Sequence, residues 1–155
     1  MMSPSLNPTF YQVTIRIFQG QDLPPMDAGM LMSKAKIDAY IRINFKNKIL
    51  KTKICKFTKG GDPVDWNMEF LLPCQMPVLA PYINLRLMDE DVGSDEMAGT
   101  IQLATKDLIE KEYMHNLICW KSFYGSPLNQ SGSDAKTLMN REPNLASNWK
   151  GRLLV

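Results

Sequence analysis

Eight short stretches of this chain alternate apolar and polar residues with a period of two, and almost nothing recurs at helical spacing. In 11–18, Val13, Ile15 and Ile17 alternate with Gln12, Thr14 and Arg16; in 39–45, Ile41, Ile43 and Phe45 alternate with Arg42 and Asn44. Successive side chains of a strand leave on opposite faces, so each stretch has one apolar face to cover. A chain of many such strands covers them by stacking two sheets, and the fold class is therefore all-β, an eight-stranded antiparallel β-sandwich.

The remaining strands follow in order. A third at 48–56 comes after a Lys46-Asn47 turn, and a fourth at 66–72 places Trp66, Met68 and Phe70 on one face. A fifth at 82–88 alternates Ile83, Leu85 and Leu87 with Asn84 and Arg86; a sixth is marked by Ile101 and Leu103. A short helix is expected over 106–113, a seventh strand over 117–124 around Trp120, and an eighth over 149–155. Trp66, Trp120 and Phe70 read as core residues. Residues 1–9 read as a flexible lead-in and 10–125 as the sandwich. The segment 126–148, rich in Ser, Asn and Gly, reads as a polar excursion with little fixed structure, and 149–155 as the sandwich's final strand.

Asp89, Glu90, Asp91, Asp95 and Glu96 put five carboxylates into eight positions immediately after the fifth strand. If each connection reverses the chain, the links after strands one, three and five lie at one end, which brings Asp27 and Asp38 beside Asp89, Asp91 and Glu96. Hard oxygen ligands on a loop suit Ca²⁺. The spacing is not that of an EF-hand, because Ser94 stands where its glycine and Thr100 where its last glutamate is needed. Two readings fit these residues: a Ca²⁺ site, or a solvated acidic turn.

Composition narrows the function classes. A net charge of +2 gives no global steering toward nucleic acid, and no aromatics interleave with the lysines as a stacking platform. The three cysteines, Cys55, Cys74 and Cys119, are far apart and form no Cys-x-x-Cys, which reads as reduced thiols in a cytosolic setting. With one histidine, His115, and no nucleophile or phosphate-loop motif, catalysis has little support. No run reaches the ~18 apolar residues of a membrane span.

Two surface features invite a membrane. Lys46, Lys48, Lys51, Lys53 and Lys56 cluster on the second to fourth strands, either as a patch for anionic headgroups or as a solvated face. Met26, Met30, Leu31 and Met32 make the first long loop unusually apolar, and Val92 sits on the acidic loop. They form an inserting wedge, or the long loop folds back on the sandwich or docks on a neighbouring domain.

Several motifs together resemble the C2 domains. Leu23-Pro24-Pro25-Met26-Asp27 is similar to the family's first loop, and Ile37-Asp38-Ala39-Tyr40-Ile41 to its Asp-Pro-Tyr-Val, with Ala39 in place of proline. Asp62 to Phe70 resembles Asn-Pro-x-Trp-Asn-Glu-x-Phe, and Asp89 to Gly99 resembles Asp-x-Asp…Ser-x-Asp-x-x-Gly with Glu96 for aspartate and one residue fewer. The resemblance implies Ca²⁺ ligands at Asp27, Asp38, Asp89, Asp91 and Glu96, with Asp95 or Ser94 accessory. The enlarged first loop, Leu72-Pro73…Met76-Pro77, and the tail Phe123-Tyr124-Gly125-Ser126-Pro127…Asn140…Gly151-Arg152-Leu153-Leu154 resemble the third C2 domain of ferlins.

That resemblance implies type II topology, in which the last strand takes the place of the first. It also implies Ca²⁺-dependent binding to an anionic phospholipid membrane, in vesicle trafficking and membrane fusion. The setting would be the cytoplasmic face of a vesicle or plasma membrane, in a tail-anchored parent with sister C2 domains or fusion-machinery proteins as further partners. The alternative is a Ca²⁺-independent scaffold for interdomain or protein contacts.

Overall fold

A computed structural model describes residues 7–26, 36–77, 79–110, 118–127 and 133–155. Among these residues nine antiparallel strands follow in order: β1 Thr9–Gln21, β2 Lys36–Phe45, β3 Lys48–Lys51, β4 Cys55–Lys59, β5 Val64–Met76, β6 Tyr82–Asp89, β7 Glu96–Ala104, β8 Trp120–Gly125 and β9 Asn148–Leu154. The sheet order is β3-β2-β6-β7-β8-β9-β1-β5, with β4 also on β2. The path divides into two four-stranded halves, because β7 and β8 share only the Thr100–Tyr124 pair. The last strand lies between β8 and the first strand, the permuted arrangement that the tail motif led one to expect.

The extra strand comes from Thr52. Its backbone N–H donates to the Ile41 carbonyl at 3.0 Å, while its Oγ1 accepts the Ile41 N–H and donates to the Lys53 carbonyl, each also at 3.0 Å. A side chain thus replaces main chain in the ladder, and the expected third strand breaks into β3 and β4.

The alternation read from the sequence is the alternation of burial. Ile37, Ala39, Ile41, Ile43 and Phe45 of β2 lie beside Ile83, Leu85 and Leu87 of β6 on one sheet face, all buried, and Ile15, Ile17, Trp66, Leu72, Phe123 and Leu153 close the core from the other half. Each such side chain contributes about 1.5–3 kcal/mol. Trp66 lies so close over β1 that a Cβ at position 20 would come within 2.9 Å of its ring, which requires Gly20. Trp120 is exposed rather than in the core: its ring stacks with the Arg152 guanidinium at 4.7 Å on the outer face of β8 and β9. Phe70 is only partly buried.

β5 runs on through Pro73 to Met76, further than the alternation alone suggests; it is an edge strand, where a proline costs no ladder bond on its open side. Helix α1 spans Thr105–Glu110, and 111–113 of the expected helix lie outside the described residues. The polar tail segment is the larger correction, for it contains helix α2, Ser133–Arg141, and a 3₁₀ turn at Pro143–Leu145. Asp134 in the first turn and Arg141 in the last complement the helix dipole. Buried Asn140 fastens the helix. Its Oδ1 accepts the Ser126 N–H at 2.7 Å, its Nδ2 donates to the Met97 carbonyl at 2.7 Å, and its own carbonyl accepts the Thr100 hydroxyl at 2.6 Å. Composition signalled an unstructured segment, and one buried amide overrides it.

Candidate cation and membrane-facing site

Three connections meet at one end of the sandwich. Met26 N–H donates to the Lys36 carbonyl at 3.1 Å, Gly61 N–H to Leu23 at 3.2 Å, and Glu90 N–H to Asp38 at 3.0 Å. The segments before β2, between β4 and β5, and between β6 and β7 are therefore hydrogen-bonded neighbours, as strand direction led one to expect.

Asp89 ends β6 with its side chain buried, and its Oδ1 accepts the Asp38 N–H at 2.7 Å. Asp38, half buried at the start of β2, accepts the Phe57 N–H at 2.6 Å through its own Oδ1. Two candidate ligands are thus fixed side by side at strand ends. Asp91 is exposed on the loop beyond them. Asp27 lies outside the described residues, as do Met30, Leu31 and Met32.

The other two acidic candidates turn to protein partners. The Tyr40 hydroxyl donates to Asp95 at 2.5 Å, and burial, together with that bond and the Asp95 charge, pushes the Tyr40 pKa up to about 12. Glu96 forms an ion pair with Lys136 of α2. Lys150, buried nearby, has its ammonium pKa lowered by burial and then by Lys136, while Glu96 acts the other way. Glu90, not counted among the candidate ligands, pairs with Lys56 at 3.2 Å. Among the described residues no three of His, Cys, Asp or Glu converge closely enough to hold a metal ion. Asp38 and Asp89 fit a hard cation by donor type and position, and a fuller shell needs further oxygens from the loops.

The lysine candidates spread over the length of the β3–β4 edge. Lys46 occupies the hairpin turn with positive φ, and Lys48 pairs with Phe45, far from the acidic loops. Lys53 is exposed, and Lys56 sits at the loop end beside Glu90. Lys51 lies opposite Arg42, and Arg42 lies opposite Arg86, so three cations form one row across β3, β2 and β6. Like charges directly opposite repel. Neither Arg42 Nε nor Arg86 Nε finds a hydrogen-bond partner among the described residues, and burial, then Arg42 and Arg141, lowers the Arg86 pKa. Glu142 acts on Arg86 in the opposite sense. The arginines were visible in the sequence only as outward residues of separate strands; their pairing depends on register.

Two apolar side chains project from the loop end. Val92 is fully exposed, and Phe57, which sequence reading missed, is 67% exposed. Among the described residues no helix is long and apolar enough to cross a membrane.

A family model described as the C2 domain matches residues 11–119. Among solved structures, extended synaptotagmin 2 with its two C2 domains aligns at TM-score 0.62 and 19% identity, covering 99% of this chain and 43% of that one. A calcium-bound structure of the same two domains aligns at TM-score 0.59 and 23% identity, covering 72% and 39%. A single C2 domain of plant extended synaptotagmin 1 aligns at TM-score 0.52 and 20% identity, covering 92% and 88%. The chain thus spans about two fifths of the extended synaptotagmin 2 chains.

Proposed function

This chain belongs to the C2-domain family, and from that premise we propose that it is a membrane-binding module regulated by Ca²⁺, not an enzyme. C2 domains commonly bind Ca²⁺ and are binding modules. The observation that carries the reading is the pairing of Asp38 and Asp89 at the loop end, on the same half-sandwich as the row Lys51–Arg42–Arg86.

Asp38 and Asp89 would hold the cation, with Asp91 and Asp27 supplying further oxygens from the loops. Bound Ca²⁺ neutralises the acidic end, which otherwise repels anionic headgroups. Val92 and the apolar Met30, Leu31 and Met32 then enter the headgroup boundary. Arg42, Arg86 and Lys51 contribute about 1 kcal/mol each against an anionic surface, with Lys53 and Lys56 at its margin and Lys46 and Lys48 beyond it. The tail motif supports a place among ferlin-like proteins in vesicle trafficking and fusion, with the module on the cytoplasmic face of its membrane.

Sedimentation with phosphatidylserine vesicles in Ca²⁺ and in chelator tests this. Binding in Ca²⁺ that is lost in chelator is the expected result, and no binding in either condition would refute the membrane reading.

A second reading has its own support. Asp95 and Glu96 are already engaged by Tyr40 and Lys136. A Ca²⁺-independent scaffold would keep those contacts and bind lipid or protein through the basic face, and equal vesicle binding in Ca²⁺ and chelator would select it.

A further inference from the structure

Four non-glycine residues among those described have positive φ: Asp22, Lys46, Phe57 and Asn67. Asp and Asn tolerate the left-handed region, and Lys46 occupies a two-residue hairpin turn. Phe57, at φ 57, is the exception, because a bulky aromatic is disfavoured there and a glycine or asparagine would serve the backbone better.

Its ring gains little burial in return, being 67% exposed. The backbone is held from outside: the Asp38 carboxylate accepts the Phe57 N–H at 2.6 Å. One cation stands over the ring. Lys36 Nζ lies 5.3 Å from its centroid, Lys56 precedes it, and Lys59 pairs with Lys36 across the ladder. A strained conformation retained with its side chain in water is a feature that tends to serve a ligand. An exposed aromatic with a lysine ammonium over its face matches the chemistry of an anionic lipid interface, with the ring toward the acyl boundary and the ammonium group at the phosphates.

We propose that Phe57 is a membrane-inserting residue, an aromatic anchor presented beside the acidic loops by the carboxylate of Asp38. The proposal rests on the membrane-binding reading above and adds to it a contact from the β4 side of the loop end.

The test uses the whole chain with vesicles of phosphatidylserine and phosphatidylcholine in Ca²⁺, comparing wild type, Phe57→Asn and Phe57→Trp. Asparagine suits the left-handed backbone, so Phe57→Asn should keep or raise Tm while vesicle affinity falls about tenfold. Phe57→Trp should bind as wild type does and show emission quenched by brominated acyl chains, beyond the quenching of the native tryptophans.

Unchanged affinity in Phe57→Asn, or a bound Phe57→Trp protein with no added quenching, overturns the proposal. A fall in Tm with affinity unchanged would assign the ring to packing and overturn it as well. If wild type fails to bind vesicles, the membrane reading itself falls and takes this proposal with it, whereas failure in the variants alone leaves that reading standing.

Discussion

Asp89 accepts the backbone N–H of Asp38 at 2.7 Å, so the buried carboxylate at the end of β6 fixes the start of β2, and under the proposed function it would hold a cation as well. The two roles separate by substitution. Asp89→Ala leaves the Asp38 N–H without its acceptor and should cost about 1–3 kcal/mol in denaturant unfolding. Asp89→Asn keeps an acceptor oxygen and removes the charge, so it should unfold near the wild-type midpoint while losing cation affinity. Equal stability of the two variants would show that the bond contributes nothing to the fold.

Asn140 joins α2 to β7 and to the turn after β8 through both ends of its amide. Asn140→Ala strands the Ser126 N–H and the Met97 carbonyl and should destabilise the chain by about 2–4 kcal/mol. Protease cleavage within 126–148 should rise with it, since the helix loses its fastening. Gly125→Ala should act the same way, because a Cβ there would lie 2.3 Å from the Ala98 carbonyl oxygen and 2.5 Å from Asn140 Oδ1.

Tyr40 keeps its proton to about pH 12 in the fold against an ordinary value of 10, so stability present below pH 10 is lost as pH rises through that window. Lys150 acts in the opposite sense. Its pKa is lowered in the fold, so the unfolded chain binds more protons over the interval below its ordinary value of 10.5, and stability rises with pH there. Tyr40→Phe should flatten the alkaline decline in melting temperature above pH 10. A decline of unchanged slope would show that Tyr40 is not its source.

How much of this was legible in the sequence depended on whether a feature is local. Alternation in 39–45 and 82–88 marked β2 and β6 and named their buried faces, since burial with period two is written residue by residue. Chain reversal at every link was enough to bring the loops of Asp38 and Asp89 to one end. Features that depend on register or on a single distant contact were not legible. The Arg42–Arg86 pair exists only because β2 and β6 align at that offset. The Glu96–Lys136 ion pair joins residues 40 apart, through a helix that the composition of its own segment argued against. Thr52 broke a strand by putting its hydroxyl where a backbone group was expected.

The basic row gives a prediction independent of the cation. Replacing Arg42 and Lys51 with glutamine should weaken binding to phosphatidylserine vesicles by about fivefold per residue, an effect that shrinks as salt is raised. Neither substitution should shift calorimetric Ca²⁺ binding. A loss that is the same at every salt concentration would point to misfolding rather than lost charge.

The central claim is that Asp38 and Asp89 hold Ca²⁺, and calorimetric titration of Ca²⁺ into wild type and an Asp38→Asn, Asp89→Asn double variant tests it most directly. Micromolar to submillimolar binding by wild type, abolished in a double variant that still melts cooperatively, is the result the account predicts. No heat from wild type, together with no rise in its melting temperature at millimolar Ca²⁺, would contradict the claim and leave the carboxylates as fasteners of the loop end.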